Sequence, residues 1–275
     1  MDPLTLLGMV VFGVFSLAFA IELIDGRISK APRPKRDIAF MFTGIASQSI
    51  LSGAVVGTAL GYLIAQLWPE NAGKFGYISF AIAFPAIFIF QEFAHYWVHR
   101  YAHEWRWLWK LHRTHHSAQQ LNMAVLYRYN IFWVILLPQG WFGAIAIYFG
   151  QVDAYVAAVM TTFLVNLATH SNYRWDLWLR NKMPWSEPIW KVLESVVTLP
   201  DTHHAHHAYG RNAHPNGNYA VTVFLFDVLF GTAKIPNKIQ ENYGLPISPR
   251  LHWAEELFWP VVRKPLLPKP ETSKA

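Results

Sequence analysis

The chain has 275 residues, of which 53% are hydrophobic and 15% charged, a balance more apolar than that of most soluble globular domains. Its lack of cysteine excludes disulfides, thiolate zinc sites, iron–sulfur clusters and thiolate-ligated haem within this chain. The net charge of +6 comes from basic residues beside apolar segments, which indicates anionic lipid headgroups as their partner rather than nucleic acid.

Three segments, residues 4–24, 40–68 and 77–98, are apolar and long enough to cross the roughly 30 Å hydrocarbon core of a bilayer. Two shorter apolar segments, 131–149 and 154–168, are predicted to form a tilted or shallow membrane hairpin. Each spanning segment must be helical, because lipid offers backbone N–H and C=O groups no hydrogen-bond partners. The chain is therefore predicted to be an all-α integral membrane protein with four to five membrane helices.

The distribution of lysine and arginine predicts which side of the membrane each loop faces. The loop after the first segment is basic, whereas the second loop, residues 69–76, carries only Lys74. We therefore expect the N-terminus and the second loop outside, and the first loop and the regions flanking the hairpin on the cytoplasmic side. The basic residues on that side include Arg27, Lys30, Arg33, Lys35, Arg36, Arg100, Arg106, Lys110 and Arg113.

This pattern divides the chain into three predicted regions. Residues 1–91 form an N-terminal membrane anchor, and residues 92–235, which contain twelve of the thirteen histidines and are expected to be the catalytic region, include the membrane hairpin 131–169. Residues 236–275 form a C-terminal cytoplasmic tail, whose proline-rich end from residue 265 is expected to be disordered. The catalytic region is expected to form a helical cap on the cytoplasmic side of the membrane helices.

Histidine is the most informative residue type in the chain. Ten of the thirteen histidines fall into three short motifs and one single position, and HxxxH and HxxHH spacings place side chains on one face of a helix. Imidazole is the commonest protein ligand for iron, zinc and copper, so the motifs predict a polyhistidine metal centre. They are His99-xxx-His103, His112-xx-His115-His116, the single His170, and His203-His204-x-His206-His207.

The number and kind of these ligands restrict the metal chemistry. So many clustered imidazoles exceed the needs of one ion and fit two, and nitrogen-rich coordination with open positions suits iron that activates dioxygen. Di-zinc hydrolase chemistry is an alternative, although hydrolases usually bring carboxylates into the site. Only Glu92, Glu104 and Asp201 lie near the motifs, either as partners that orient imidazole N–H groups or as ordinary polar residues at helix ends.

The histidine motifs and the residues around them together resemble the fatty acid hydroxylase/sterol desaturase superfamily. The resemblance implies an integral-membrane, di-iron, oxygen-dependent oxidase that hydroxylates or desaturates a C–H bond of a lipid such as a sterol or fatty acyl chain. It covers residues 92–232 and includes EFAHYWVHR from Glu92, LWKLHRTHHS from Leu108, HSN from His170, LPDTHHAHH from Leu199, NY from Asn218 and FDVLFGT from Phe226. Carried over position by position, the implied metal ligands and catalytic residues are His99, His103, His112, His115, His116, His170, His203, His206 and His207.

Four positions depart from the pattern of that family. His95 stands where tyrosine is frequent and His204 lies between ligand positions, so both are expected beside the ligands or facing solvent. Asn130 replaces a histidine that many relatives carry, and Asn166 stands four residues before His170, where a longer family pattern has a further histidine. The sequence leaves open whether any of these four contributes to the metal site.

The resemblance also implies a lipid substrate, two iron ions, dioxygen as co-substrate and an electron donor. The chain has no flavin motif, cluster-binding thiolate or cytochrome domain, so a separate ferredoxin or cytochrome b5-like donor with a reductase is expected. A carotenoid or ether-lipid hydroxylase of the same chemistry is an alternative. A membrane metal transporter is an alternative of another class, but it would need polar residues along its spans, which hold almost none before Gln91. The lipid, the choice between hydroxylation and desaturation, and the oligomeric state stay open.

Overall fold

The computed structural model describes residues 2–268, and these residues are helical almost throughout. The predicted all-α membrane architecture is confirmed, with the addition of a two-stranded antiparallel sheet that pairs Ala208 with Tyr243. The proline-rich end predicted to be disordered lies outside the described residues from residue 269 onward. The elements are α1 (Pro3–Ile24), α2 (Pro34–Ser47), a π-helical segment (Gln48–Gly57), α3 (Thr58–Leu67), α4 (Phe80–Glu104), α5 (Arg106–His116), α6 (Pro138–Tyr148), α7 (Val152–His170), α8 (Trp175–Lys182), α9 (Glu187–Val196), α10 (Pro200–His207), β1 (Ala208–Tyr209), α11 (Leu225–Leu229), β2 (Asn242–Tyr243) and α12 (Trp253–Phe258), with short 3-10 turns at Pro69–Asn71, Trp133–Ile135, Pro184–Ser186 and Ser248–Arg250.

Four helical stretches are long and apolar enough to cross a membrane, in agreement with the predicted four to five membrane helices. They are α1, the continuous stretch Pro34–Leu67, α4 and α7. The apolar stretch Trp133–Tyr148, which contains α6, is shorter. α7 has 19 residues, so the second half of the expected shallow hairpin is longer than its apolar core indicated. Polar residues at its two ends, Asp153 and Thr169, continue the helix rather than ending it.

The π-helical segment Gln48–Gly57 joins α2 to α3 inside the second spanning stretch. Such segments are rare and frequently lie at functional sites. α6 packs closely against this one, because Gly140 has no side chain: a Cβ atom there would lie 2.4 Å from Oγ of Ser52. Hydrophobic periodicity alone did not predict this segment.

α1 and α7 end at the same side of the helix bundle. Glu22, near the end of α1, accepts hydrogen bonds from Oγ of Ser171 at 3.1 Å and from the backbone N–H of Asn172 at 2.6 Å, directly after α7. α4 packs along α7, where Thr162 donates to the Glu92 carboxylate at 2.7 Å. Because α5 follows α4 directly and α10 packs against α7, the histidine motifs come together at this side.

Part of the stretch predicted to be a C-terminal tail is packed into the core. Glu256 of α12 is fully buried and contacts the side chains of Arg36 and Ser117. Its backbone carbonyl accepts hydrogen bonds from Oγ1 of Thr114 at 2.7 Å and from Nδ2 of Asn130 at 2.9 Å. The boundary at residue 236 stays a prediction, but α12 supports α5 rather than extending away from it.

Candidate metal centre

Nine imidazoles lie in two groups at the common end of α4, α5, α7 and α10. Within each group every histidine offers one ring nitrogen, and these nitrogens all lie within 4.8 Å of one another. Nitrogen ligands about 2 Å from one ion lie at most about 4 Å apart, so each group has nearly the size of a single metal site. The structure thus brings together all nine predicted histidines, and their role as ligands stays a prediction. The first group is His99, His103, His112, His116 and His206, and the second is His115, His170, His203 and His207.

The two HxxHH motifs share their histidines between the groups in opposite ways. On α5 the two histidines four residues apart join the first group, whereas His115 joins the second. On α10 the two histidines four residues apart join the second group, whereas His206 joins the first. The groups are adjacent, since the rings of His116 and His207 stack with centroids 4.4 Å apart. The arrangement therefore has the form of a site for two neighbouring ions.

Backbone carbonyls orient three of the imidazoles. A carbonyl oxygen can only accept a hydrogen bond, so the Nδ1 atom facing it must carry the proton, and Nε2 of the same ring keeps a free lone pair. Those lone pairs are available to a metal, because each Nε2 lies next to the Nε2 of another histidine of the two groups. The Nδ1 donors and their acceptors are His99 with Tyr219 at 2.6 Å, His206 with Gly217 at 2.7 Å, and His170 with Asn166 at 2.9 Å.

Several buried nitrogens in the groups lack an ordinary hydrogen-bond partner. Nε2 of His170 lies 3.3 Å from Nε2 of His115 and 3.2 Å from Nε2 of His203. Nε2 of His103 and Nε2 of His207 have no hydrogen-bond partner among the described residues. A buried polar atom without a partner costs stability, and a bound cation removes this cost for several lone pairs at once. The donor set therefore fits a metal bound by nitrogen.

Burial keeps the histidines of α5 and α10 neutral. Loss of solvation for the charged form holds the pKa of each imidazole well below the usual value of 6.5, and neighbouring histidines lower it further. A neutral imidazole keeps the lone pair that a metal requires. The six residues concerned are His112, His115, His116, His203, His206 and His207.

Of the two roles left open for the acidic residues near the motifs, the structure favours that of ordinary polar residues, because their carboxylates pair with side chains other than imidazoles. Within the part of the chain that the structure describes, each group consists of histidine alone. Backbone carbonyls rather than carboxylates therefore orient the rings of His99, His170 and His206. The side-chain partners of the three acids are Thr162 for Glu92 at 2.7 Å, Arg100 for Glu104 at 2.8 Å, and Arg174 for Asp201 at 2.9 Å.

The two histidines that depart from the family pattern lie outside both groups. Nδ1 of His95 is 3.1 Å from Nε2 of Gln139, beside the first group. His204 is turned the other way, with its ring nitrogens 2.9 Å from the hydroxyl of Tyr243 and 3.0 Å from the carbonyl of Ser171. His204 therefore connects α10 to β2 and to the end of α7.

The two asparagines have different surroundings. Nδ2 of Asn130 donates to the carbonyls of Glu256 and Trp259, so this residue fixes α12. Asn166 supports His170 through its backbone carbonyl, while its side-chain Oδ1 is buried and has no partner in residues 2–268. Asn130 is thus a structural residue, whereas Asn166 lies where a bound molecule can reach it.

One loop carries two of the three orienting carbonyls, those of Gly217 and Tyr219, and the sequence motifs contained part of it without revealing its role. The buried carboxylate of Asp227 accepts hydrogen bonds from the backbone N–H of Tyr219 at 2.8 Å, from that of the following residue at 2.7 Å, and from Oγ1 of Thr232. Asn218 has a left-handed backbone with φ of 56°, which asparagine tolerates, and it donates to the carbonyl of Thr202 at 2.9 Å. The NY and FDVLFGT stretches therefore hold the loop in place against α10.

An apolar cavity of about 550 Å³ opens onto both histidine groups. Ligand sites usually have volumes of about 300–1,000 Å³, so the space suits a small molecule or part of a lipid. Its other walls come from α1, the π-helical segment, α6 and α7. α1 and α7 contribute the apolar side chains of these walls, whereas the π-helical segment contributes Gln48, Ser49 and Ser52. Its histidine end is lined by His99 and His112 of the first group and by His115, His170 and His203 of the second.

The region that carries the histidine groups is similar in sequence to known proteins. The chain is 29% identical over 166 residues to alkylglycerol monooxygenase from Xenopus tropicalis and to that from Homo sapiens, over 58% of this chain and 32% of each relative. It is 28% identical over 182 residues to alkylglycerol monooxygenase from Danio rerio, over 63% of this chain and 36% of the relative. The chain therefore spans about a third of the length of these curated relatives, and no solved structure matches it. The family model described as fatty acid hydroxylase matches residues 84–232, more than half of the chain and both histidine groups, so the chain belongs to the fatty acid hydroxylase family.

Proposed function

We propose that this protein is an oxygen-dependent lipid oxidase in which each histidine group holds one iron ion. The observation that carries the proposal is a pair of adjacent groups of histidine alone, at one end of an apolar cavity among membrane-spanning helices. Di-zinc hydrolases usually have carboxylates at the metal, and these groups have none among the described residues. The proposed ligands are the nine histidines of the two groups.

The chain contributes orientation, exclusion of water and positioning. Bound iron would supply the activation of dioxygen and the removal of hydrogen from an unactivated C–H bond. The carbonyls of Tyr219 and Gly217 hold the rings of His99 and His206 with Nε2 facing inward. The apolar walls keep water from the groups and confine a lipid so that one carbon lies beside them.

The proposal includes a membrane orientation and a partner. The excess of lysine and arginine in the first loop and beyond α4 supports placing the histidine end on the cytoplasmic side. A soluble or membrane-bound donor can reach that side, and we propose a ferredoxin or cytochrome b5-like protein with its reductase. Residues 92–235 would form the catalytic region, residues 1–91 the anchor and residues 236–275 the cytoplasmic end.

An ether lipid is the favoured substrate. The relatives are named alkylglycerol monooxygenases, and the family description names fatty acids. Both substrates have a long hydrocarbon chain and a polar end, which suits a mostly apolar cavity with polar groups at one side. Sterols and carotenoids, which carry rigid rings, are the alternatives that the same assay distinguishes.

The test combines metal analysis with isotope labelling. The purified protein should contain about two irons per chain by plasma mass spectrometry. In vesicles supplied with an electron donor and ¹⁸O₂, an alkylglycerol should gain one labelled oxygen, whereas loss of two hydrogens without label would identify a desaturase. Product formation without oxygen, or hydrolysis by a zinc-loaded protein, would contradict the proposal. Metal transport into vesicles with no product would favour the transporter.

Two variants complete this test. His115→Ala removes a proposed ligand and should abolish product and reduce iron. His252→Asn is the matched control, because His252 lies outside both groups and caps α12 by accepting from the N–H of Ala254 at 3.2 Å. Asparagine can make the same cap, so this variant should keep iron and activity.

A further inference from the structure

The cavity extends far from the histidines along one face of α1. Leu4, Leu7, Gly8 and Val11 line it, and their spacing of three and four residues places them on one side of the helix. Glu22 marks the histidine end of α1, since its carboxylate binds the backbone directly after α7. At 1.5 Å per residue, Gly8 lies about 21 Å and Leu4 about 27 Å from that end. The cavity thus covers most of the roughly 30 Å depth of a bilayer core.

The unpaired polar atoms of the cavity lie near the histidines. Oε1 of Gln139 and Oδ1 of Asn166 are buried side-chain oxygens without a partner among residues 2–268, and both residues line the cavity. Gln139 contacts His95, and Asn166 supports His170, so both belong to the metal end. A buried unpaired oxygen is costly unless a donor reaches it, which points to a bound molecule with hydroxyl groups at this end.

Two further hydroxyl groups of the cavity wall already have partners. Oγ of Ser49 donates to the carbonyl of Ile45 at 3.1 Å, and the hydroxyl of Tyr155 donates to the backbone carbonyl of Gln139 at 3.1 Å. Around Gly8 the lining residues of α1 are leucine and valine. This end therefore suits hydrocarbon rather than a polar headgroup.

The α1 wall has free space at Gly8. A Cβ atom on Gly8 would meet no atom within 4 Å, so a large side chain can be placed there without displacing the backbone. Gly13, on the same helix, has equally open surroundings but does not line the cavity. The pair offers a matched comparison between filling the cavity and enlarging the lipid-facing surface of α1.

We propose that the cavity takes one long unbranched hydrocarbon chain, with the hydroxyl-bearing end of the lipid at Gln139 and Asn166 and the methyl end at Gly8. Gly8 then leaves room for the methyl end of a long chain, so a larger side chain at this position shortens the longest chain that fits, and the carbon presented to the metals is close to the polar end. This inference rests on the proposed function and narrows it to chain lipids with a hydroxyl-bearing end. Rigid ring systems such as sterols are the excluded class.

The first experiment compares binding of alkylglycerols with dodecyl to octadecyl chains to the iron-loaded protein in nanodiscs. Gly8→Phe should weaken octadecyl binding relative to dodecyl binding by about tenfold, the loss expected when about two methylenes leave apolar surroundings. Gly13→Phe should keep the wild-type ratio. An unchanged ratio in Gly8→Phe, or an equal change in Gly13→Phe, would overturn the inference.

The second experiment locates the chain in the unmodified protein and does not depend on a variant folding. A hexadecylglycerol carrying a diazirine at its terminal carbon is photoactivated in the iron-loaded wild type, and the labelled peptides are mapped. Label within residues 4–11 supports the proposed direction, whereas label on α5 or α10 contradicts it. Displacement of the probe by cholesterol at equal concentration also contradicts it.

These outcomes separate the inference from the proposed function. A wild-type protein that forms no oxygenated product but is labelled within residues 4–11 binds a chain without being an oxidase. An active wild-type protein with an unchanged chain-length profile in Gly8→Phe keeps the proposed function and loses the inference.

Discussion

α5 and α10 carry the same HxxHH motif but are held in place by different means. α5 is fixed by charged and polar contacts to α12, including an ion pair of Arg113 with Glu255 at 2.7 Å and the bond from Thr114 to the carbonyl of Glu256. α10 is entirely buried. It is held by the loop of residues 217–220, called here the Asp227 loop because Asp227 fixes its backbone, through the carbonyl of Gly217, which accepts from His206. One helix thus depends on distant side chains and the other on a nearby backbone loop.

Because their supports differ, substitutions in α12 and in the Asp227 loop should disturb different histidines of the metal centre. Damage to α12 acts on α5, which gives two histidines to the first group and one to the second. Damage to the Asp227 loop acts on His99 and His206, which both belong to the first group.

His115→Ala removes the one histidine of α5 that belongs to the second group. His206→Ala removes the one histidine of α10 that belongs to the first group. Both should lower product formation by at least about 100-fold, because the proposed reaction needs both ions. His206→Ala should lose iron from the first group and His115→Ala from the second, as measured by iron content and Mössbauer spectra. His204→Gln, on α10 but outside the groups, should keep both irons. Full iron in either alanine variant would contradict the assignment.

Glu256→Ala should reduce the free energy of unfolding by about 3–5 kcal/mol, because it leaves buried arginine charge without its partner. The carboxylate of Glu256 is fully buried beside Arg36 and Arg128. Chemical unfolding in detergent measures this loss. Glu104→Ala, which breaks an exposed ion pair with Arg100, should cost less than about 1 kcal/mol. Equal losses in the two variants would show that the buried carboxylate of Glu256 does not balance these arginines.

Asp227→Ala should reduce the free energy of unfolding by about 2–4 kcal/mol, because it leaves two buried backbone N–H groups without an acceptor. It should also weaken retention of the first-group metal by about 10–100-fold, since the carbonyls that orient His99 and His206 are loosened. Competition with a chelator measures retention. Asp227→Asn keeps one acceptor oxygen and should lose less. Retention equal to wild type in the alanine variant would remove the proposed role of the loop.

The metal-free protein should be most stable above about pH 6.5 and lose stability as the pH falls below that value. The pKa of each histidine on α5 and α10 is held well below 6.5 by burial, so below pH 6.5 the unfolded chain binds protons that the folded chain does not. Each histidine contributes up to about 1.4 kcal/mol per pH unit in that window. Unfolding curves at a series of pH values test this, and a constant midpoint down to about pH 5 would contradict it.

Much of the fold and the site was predictable because it depends on local spacing. The length of the apolar segments predicted four to five membrane helices, and four helical stretches have the required length. The histidine spacings predicted common helix faces, and all nine predicted histidines lie in the two groups. The limits of these predictions are equally physical: the apolar core of α7 gave too short a helix, and no pattern marked the π-helical segment.

Other features depend on contacts between residues far apart in the chain. The sequence left open whether the acids near the motifs orient imidazoles, and in the structure carbonyls of Tyr219, Gly217 and Asn166 do so. A carbonyl is present at every residue, so no sequence pattern distinguishes the ones that orient a ring. Glu256 lies 142 positions from Thr114, and its packing against α5 could not be read from a segment that looked like a tail.

The membrane helices and the shared helix faces of the histidines were predictable from the chain alone, because hydrophobic length and helical periodicity are local properties. The family and the nine proposed ligand positions followed from the resemblance that the motifs carry. Only the tertiary structure decided how the nine divide into two groups, which backbone carbonyls hold them, and how far the cavity extends along α1. Those features arise where α4, α5, α7 and α10 meet, and a meeting of helices is set by packing over the whole chain rather than by spacing within one motif.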